Sequence, residues 1–181
     1  MVTKNAAKHI KNKDKILPTS MKKKCKAACF GGTFDIPLHK GHEALIRKAF
    51  QEAKFCYIGM TSDDYVLRKR KEGVKPFEER KANLVKFLAS MKVGKSRYHI
   101  SPLDNFFSPE VLDPKKGIEA IVVSEETLPG ARGINLIRED YGLKPLEIIR
   151  IETVMAKDGW PISSTRIRAR EIDRKGKKLR K

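Results

Sequence analysis

Cysteine is scarce in this sequence, which has Cys25, Cys29 and Cys56 among 181 residues and no Cys-x-x-Cys pair. An odd number of cysteines without that spacing excludes a disulfide scaffold and a zinc ribbon. Long apolar runs are also lacking: no stretch approaches the ~18–20 residues that a membrane span requires, and no secretory apolar segment stands at the N-terminus. These absences predict a cytoplasmic protein that has no membrane partner and keeps its cysteines reduced.

Aromatic residues are few, at 7%, whereas charged residues make up 34% and hydrophobic residues 40% of the chain. This balance is too apolar for a wholly disordered protein and is typical of a globular one. A chain of this length buries roughly 70% of its unfolded surface in a single domain. The core therefore needs no disulfide or metal to be stable.

Positive charge is concentrated at the two ends of the chain, whose formal net charge is +18. Residues 1–24 contain eight lysines and one aspartate. The sequence predicts a flexible basic extension over 1–24, one domain over 25–172 and a basic tail over 173–181. Such ends are either solvated or contact nucleic acid or an acidic membrane. Because no aromatic residues alternate with the lysines, as stacking on bases requires, nucleic acid is the weaker interpretation.

Strand-like and helix-like stretches alternate from Cys25 onward. Strands are predicted at 26–30, 55–60, 97–103, 118–123 and 146–151; helices are predicted at 41–53, after Ser62, from Pro76, at 132–141, and from Ser163 or Ser164 into the basic tail. This alternation predicts a Rossmann-like, doubly wound α/β fold: a five-stranded parallel sheet with helices on both faces. Ligands bind beyond the carboxyl ends of the strands in such folds, which directs attention to GGTFDIPLHKGH, VSEET and ISSTRIR.

The segment GGTFDIPLHKGH joins the first predicted strand to the first predicted helix. Gly31 and Gly32 have no side chains, so backbone N–H groups can approach a ligand closely. The helix start beyond them is an anion site, where His39 and His42 add hydrogen-bond donors for phosphate. No Gly-Lys-Ser/Thr follows, so the segment is not a P-loop. No further His or Cys accompanies the two histidines as a metal ligand.

The segment ISSTRIR supplies a second set of phosphate-binding groups. Ser163, Ser164 and Thr165 carry hydroxyls at a predicted helix start. Arg166 and Arg168 follow, and arginine binds phosphate through two hydrogen bonds. Alone, these residues also fit an ordinary helix cap with a basic first turn. Together with the glycine–histidine loop, they predict a nucleotide whose phosphates lie between two helix N-termini.

The two segments resemble the signature motifs of the HxGH nucleotidyltransferase superfamily. Four further stretches, VKPFEER, VSEETLPGARGIN, GLKPLEI and DGWPISSTRIRAREID, resemble the phosphopantetheine adenylyltransferase family of the archaeal and eukaryotic type. The resemblance extends over residues 26–175. It implies transfer of the adenylyl group of ATP to 4′-phosphopantetheine, giving dephospho-coenzyme A and pyrophosphate in coenzyme A biosynthesis. It also implies Mg²⁺, held mainly by phosphates and waters.

The same resemblance implies residue roles. His42 and His39 would be the catalytic residues, with His42 at the α-phosphate. Thr33 and Lys69 would bind the acceptor, Lys69 being one of four consecutive basic residues, while Arg80 in VKPFEER fits a structural role equally well. The residues implied in ATP binding are Gly32, Thr33, Phe34, His39, His42, Ser124, Glu125, Ser163, Ser164, Thr165 and Arg168. Ser124 and Glu125 also fit a helix cap with an acidic first turn.

The sequence departs from the family pattern between Asp35 and His39. Three residues, Ile36, Pro37 and Leu38, separate them where the family has two, which leaves open the position of Asp35 relative to the histidines. Two other functions also stay open. One is a related nucleotidyltransferase acting on FMN, nicotinamide mononucleotide or a polyol phosphate. The other is an inactive relative that binds nucleic acid, since fold alone does not determine function.

Overall fold

A five-stranded sheet forms the centre of the molecule. The computed structural model describes residues 24–179, so the basic extension predicted over 1–24 lies outside the described residues except for Lys24. The strands are β1 (Cys25–Gly32), β2 (Ala53–Thr61), β3 (Tyr98–Leu103), β4 (Ile118–Val123) and β5 (Glu147–Arg150). Each of them overlaps a strand predicted from the sequence.

All four pairs of neighbouring strands are parallel, and their spatial order is β3-β2-β1-β4-β5. The chain builds outward from β1 to β3 and then returns to place β4 on the other side of β1. The direction of winding therefore reverses between β1 and β4, and the carboxyl ends of such a pair form the crevice that binds ligands in open α/β sheets. The predicted Rossmann-like, doubly wound sheet is confirmed.

Helices cover both faces of the sheet, as predicted. They are α1 (Lys40–Glu52), α2 (Asp63–Arg68), α3 (Phe77–Ser90), α4 (Leu128–Asp140) and α5 (Ser164–Arg168). Apolar residues of α1 and α3 share one core with Phe30 and Ile58 of the sheet, whereas those of α4 share a second core with Cys29 and Ile121 on the opposite face. None of the helices between residues 24 and 179 combines the length and apolar character needed to cross a membrane.

Helix α4 begins four residues earlier than predicted. Its first turn contains Pro129, a position where the missing N–H of proline costs nothing. The glycines of LPGARG are typical of a loop, but Leu128 and Ala131 are buried in the second core and fix this stretch as helix. Tertiary packing overrides the local preference of glycine here.

The C-terminal segment differs more strongly from expectation. The prediction that the last helix runs into the basic tail is wrong, because α5 ends at Arg168 and a bridge pairs Ile172 with Lys178. Ile172 is completely buried. Gly176 has φ +77° and would place a Cβ only 2.8 Å from the backbone of Ala156. Glycine is needed at this close contact, so the segment beyond α5 packs onto the body of the protein.

The side chain of Arg80, on α3, is completely buried and holds the carboxyl ends of two strands together. Its Nη1 donates to the carbonyls of Thr33 and Thr61, both at 2.9 Å. Its Nε donates to the Lys75 carbonyl at 2.6 Å, and its Nη2 to Asp63 Oδ1 at 2.7 Å. A buried charge is stable only when its donors are satisfied in this way. The sequence allowed Arg80 either a structural role or a role in binding the acceptor. These contacts fit the structural role.

Replacing Arg80 should destabilise the fold severely. Arg80→Ala leaves two carbonyls at the strand ends without their donor, and each buried acceptor left unsatisfied typically costs about 1–3 kcal/mol. Urea unfolding measures this change, with Arg132→Ala as the control because Arg132 is exposed on α4 and such surface changes cost under about 0.5 kcal/mol. Equal stability of the two variants would contradict the role given to Arg80.

Candidate active site

A cleft of about 800 Å³ opens at the carboxyl ends of β1 and β4, a volume within the range of ligand sites. The structure brings to this cleft all the residues implied in catalysis, ATP binding and acceptor binding. They are Gly32, Thr33, Phe34, His39, His42, Lys69, Ser124, Glu125, Ser163, Ser164, Thr165 and Arg168. Residues more than a hundred positions apart therefore converge at the reversal point of the sheet.

The loop after β1 is held in an unusual backbone conformation. Phe34 has φ +48°, in the left-handed region that residues other than glycine seldom adopt. Its ring is completely buried and lies edge-on to Phe30, with 6.0 Å between centroids. The burial of this ring and the bond from Arg80 to the Thr33 carbonyl together hold the strained turn. Phe34 therefore lies buried beneath the wall of the cleft and fixes the shape of the loop.

His39 is the N-cap of α1. Its Nδ1 accepts hydrogen bonds from the amides of Gly41, at 3.1 Å, and His42, at 3.4 Å. Burial lowers the pKa of His39 to about 4, so the ring is neutral at pH 7. Because Nδ1 is the acceptor, the proton is on Nε2. His39 can therefore offer a phosphate one N–H but no charge.

His42 stacks directly on His39, with 3.8 Å between ring centroids and 20° between planes. On its other side lies Phe34, at 5.4 Å. Burial, followed by electrostatic interaction with His39 and Lys71, lowers the pKa of His42 to about 3. Its Nδ1 is buried without a hydrogen-bond partner. Both histidines are thus neutral groups fixed by packing at the start of a thirteen-residue helix.

Two lysines reach the cleft from the connection after α2. Lys69, the candidate from the sequence, places its Nζ 5.4 Å from the ring centroid of Tyr65. Lys71 places its Nζ 3.1 Å from Thr33 Oγ1. Arg70 between them has φ +50°, which turns the chain back toward β1. The contact with Thr33 places Lys71 better than Lys69 to bind a phosphate beside Thr33. The run of four basic residues in the sequence does not reveal this difference between the two lysines.

The wall opposite α1 is formed by the segment 163–168. Ser163 caps α5 by accepting from the Arg166 amide at 3.3 Å, so the ordinary cap and the cleft wall are the same residue. Helix α5 has only five residues, so this wall offers hydroxyl groups, and not the strong helix N-terminus that was expected. Arg166 is held by Asp158, Glu171 and the Pro161 carbonyl, which removes it as a phosphate ligand.

Ser124 and Glu125 line the edge of the cleft beyond β4. Ser124 makes a capping box with Thr127, whose Oγ1 accepts from the Ser124 amide at 3.1 Å. Glu125 lies 3.5 Å from Arg150. Both residues therefore serve as cap and surface ion pair, and they also face the space where a ligand would lie.

The cleft also has an apolar part that the sequence did not reveal. It is lined by Tyr57, Leu103, Phe106, Val111 and Ile134. The connection from β3 to β4 contains two 3₁₀ helices, Pro109–Leu112 and Pro114–Lys116, in place of an α-helix. The sheet face beside β2 is therefore left open. Apolar residues in a strand or helix have the same pattern whether they face a core or a cavity, so no sequence signal identified them.

The donor atoms of the cleft do not fit a metal held by the protein. Among the residues that the structure describes, no three His, Cys, Asp or Glu side chains are grouped to hold a metal ion. The groups facing the phosphate region are hydroxyls, neutral imidazoles and cations. Mg²⁺ prefers carboxylate, phosphate and water oxygens.

Comparison with known proteins assigns the family. A family model described as cytidylyltransferase-like matches residues 29–170. A phosphopantetheine adenylyltransferase from Pyrococcus furiosus is 45% identical over 165 residues, which cover 89% of this chain and 98% of the relative. One from Methanothermobacter thermautotrophicus is 45% identical over 156 residues, covering 86% and 91%. The chain belongs to the phosphopantetheine adenylyltransferase family. The family resemblance inferred from the motifs is confirmed.

Solved structures agree with this family assignment at the level of the fold. A protein of unknown function from Archaeoglobus fulgidus is 33% identical, with a TM-score of 0.60 over 72% of this chain and 100% of that chain. A pantoate-beta-alanine ligase from Francisella tularensis is 16% identical, with a TM-score of 0.54 over 80% of this chain and 65% of that chain. The second likeness shows the shared fold alone.

The buried histidines should make the fold sensitive to acid. Below about pH 6.5 both histidines become protonated in the unfolded chain. In the folded protein His39 and His42 stay neutral at these pH values, because burial lowers their pKa values to about 4 and about 3. The free energy of unfolding therefore falls as the pH drops from 7 toward 4. His42→Gln should remove about 1–2 kcal/mol of the loss between pH 7 and pH 5.

Urea unfolding at the two pH values measures this difference. His99→Gln is the control, since His99 is exposed on β3, outside the cleft, where it pairs with Glu110 at 3.7 Å. Loss of this exposed pair should change the acid loss by less than about 1 kcal/mol. A His42→Gln variant with the full acid loss of the unmodified chain would contradict burial as the cause.

Proposed function

We propose that this chain transfers the adenylyl group of ATP to 4′-phosphopantetheine, forming dephospho-coenzyme A and pyrophosphate. One observation carries the proposal: both segments interpreted as phosphate-binding face one cleft, in a chain 45% identical over nearly its whole length to relatives named for this activity. We expect the reaction to take place in the cytoplasm, once 4′-phosphopantetheine and ATP are both bound in the cleft.

The chemistry requires positioning more than proton transfer. An oxygen of the acceptor phosphate attacks the α-phosphorus of ATP, and the bond from that phosphorus to the bridging oxygen of pyrophosphate breaks. The nucleophile is already an anion, so no general base is needed. The protein must bring two anions together and stabilise the charge that develops on the leaving pyrophosphate.

Neutral histidines suit this requirement. At pH 7 an imidazole with a pKa of about 3 or 4 is not protonated, so His39 and His42 act as fixed hydrogen-bond donors. Their rings are immobilised by mutual stacking and by Phe34, so little reorganisation is needed when the charge at the α-phosphate changes. Such preorganised donors account for much of the catalysis in comparable sites.

The remaining charge is balanced by groups on the two walls. Ser164, Thr165 and Arg168 are placed to bind the β- and γ-phosphates. Mg²⁺ would accompany the triphosphate, bound by phosphate oxygens and water, because the cleft does not supply a cage of carboxylates. Across the cleft, Lys71 and Thr33 are in contact at 3.1 Å and suit the phosphate of the acceptor, in place of Lys69.

Acceptor choice is the direct test of this function. Mg-ATP with 4′-phosphopantetheine should release pyrophosphate, and mass spectrometry should detect dephospho-coenzyme A. FMN, nicotinamide mononucleotide and glycerol phosphate are the competing acceptors, each tried with ATP and CTP. Turnover with another acceptor alone would keep the proposed chemistry and overturn the proposed substrate.

His42→Ala, which removes a donor acting in the transition state, should retain the fold and lose about 10²–10³-fold in kcat.

The two lysines should differ in their effect on the acceptor. Lys71→Ala removes a charged partner of the acceptor phosphate, a loss of about 1.5–3 kcal/mol, so KM for 4′-phosphopantetheine should rise about 10–100-fold. Lys69→Ala is the matched control, with an expected change under about threefold, since exposed charges contribute little. Steady-state kinetics at saturating ATP measure both. The opposite order would restore Lys69 as the acceptor-binding residue.

A further inference from the structure

Asp35 is a buried carboxylate beside the cleft that the reaction described above does not use. Its side chain is 2% exposed, and it is absent from the residues that line the cleft. Three donors surround it. Oδ1 accepts from the amides of Ile36, at 2.8 Å, and Lys75, at 3.1 Å, while Oδ2 accepts from Arg168 Nη1 at 2.6 Å. The extra residue between Asp35 and His39 left the position of Asp35 open. The structure shows that both oxygens of Asp35 accept hydrogen bonds.

These contacts join three segments that are distant in sequence. Lys75 follows the connection that carries Lys71, and Arg168 lies 133 positions from Asp35 on the wall that carries the hydroxyls. The connection also runs close to Arg168, since a Cβ added to Gly73 would lie 3.4 Å from Arg168 Cδ. One carboxylate thus links the acceptor side of the cleft to the triphosphate side.

Asp35 also determines where the guanidinium of Arg168 points. With Nη1 bound to Asp35, Nη2 lies 3.4 Å from Thr165 Oγ1, so the guanidinium stays beside the hydroxyls of its own wall. Arg168 is partly exposed, with 23% of its side chain accessible, whereas Asp35 is buried. The buried member of the pair therefore anchors the accessible one.

We propose that Asp35 is a positioning residue that aims Arg168 at the triphosphate through Oδ2 and holds the Lys71 connection through Oδ1. This inference rests on the proposed function for the identity of the acceptor. The two oxygens of the carboxylate therefore affect the binding of different substrates. Loss of the charge alone should weaken the binding of Mg-ATP, whereas loss of the whole side chain should weaken the binding of both Mg-ATP and 4′-phosphopantetheine.

Variants of Asp35 separate these two effects. Asp35→Asn retains a carbonyl oxygen for the Ile36 and Lys75 amides and removes the charge that holds Arg168. Its dissociation constant for Mg-ATP should rise about tenfold, while that for 4′-phosphopantetheine stays within about threefold. Asp35→Ala should raise both by about tenfold or more. Asp35→Glu, which keeps the charge, should recover part of the Mg-ATP affinity lost in Asp35→Asn.

A double variant shows whether Asp35 acts through Arg168. Asp35→Asn combined with Arg168→Gln should bind Mg-ATP no more weakly than Arg168→Gln alone, because the anchored group is already gone. Asp158→Asn is the control: it breaks the ion pair to Arg166 in the same part of the chain and should change neither dissociation constant by more than about twofold.

Isothermal titration calorimetry with each ligand separately, on variants shown to be folded by thermal unfolding, measures all of these constants. The proposal is overturned if Asp35→Asn changes Mg-ATP binding by less than about twofold, or if the effects of Asp35→Asn and Arg168→Gln multiply in the double variant. Because Mg-ATP binding is measured without acceptor, a chain that binds ATP but adenylylates no phosphopantetheine would contradict the proposed function separately.

Discussion

The buried guanidinium of Arg80 is the interaction on which the site depends. Parallel strands end in carbonyl groups that nothing in the sheet satisfies, and here two such ends meet where the ligand must bind. Arg80 donates to both of them, at Thr33 and Thr61, and pairs with Asp63 on α2. The turn at Phe34 can be strained because the residue before it is held in this way. The histidines, in turn, pack against the ring that this turn buries.

The site is assembled from a few such fixed points, and flexible side chains contribute little to its shape. Arg80 holds the strand ends, His39 caps α1, Asp35 ties the walls together, and Gly176 seats the C-terminal segment against Ala156. Each of these groups is buried or immobilised by backbone contacts. The hydroxyls and the lysines that face the cleft are then presented by a rigid frame, which is the arrangement that catalysis by positioning requires.

Much of this arrangement could be predicted from the sequence. The strands were recognisable as short apolar runs between helical patterns, and parallel topology required their carboxyl ends to meet. The signature segments therefore had to converge, as His42 and Ser163 do. The prediction failed where tertiary contacts decide the conformation. The turn at Arg70 brings Lys71, and not Lys69, to Thr33, and the burial of Ile172 folds back a tail whose charges alone suggest continued helix.

The connection between β3 and β4 contains no α-helix, and this shapes the apolar half of the cleft. The apolar half of the cleft exists because 3₁₀ turns, anchored where Arg138 donates to the Val111 carbonyl, leave uncovered the part of the sheet face beside β2. The groups assigned to phosphate chemistry lie on other elements, at the ends of β1 and at α5. A change in the length or apolar content of this one connection would alter which molecule fits beside the nucleotide. The apolar half of the cleft and the groups assigned to phosphate chemistry thus depend on largely separate stretches of the chain, so a change in one need not disturb the other.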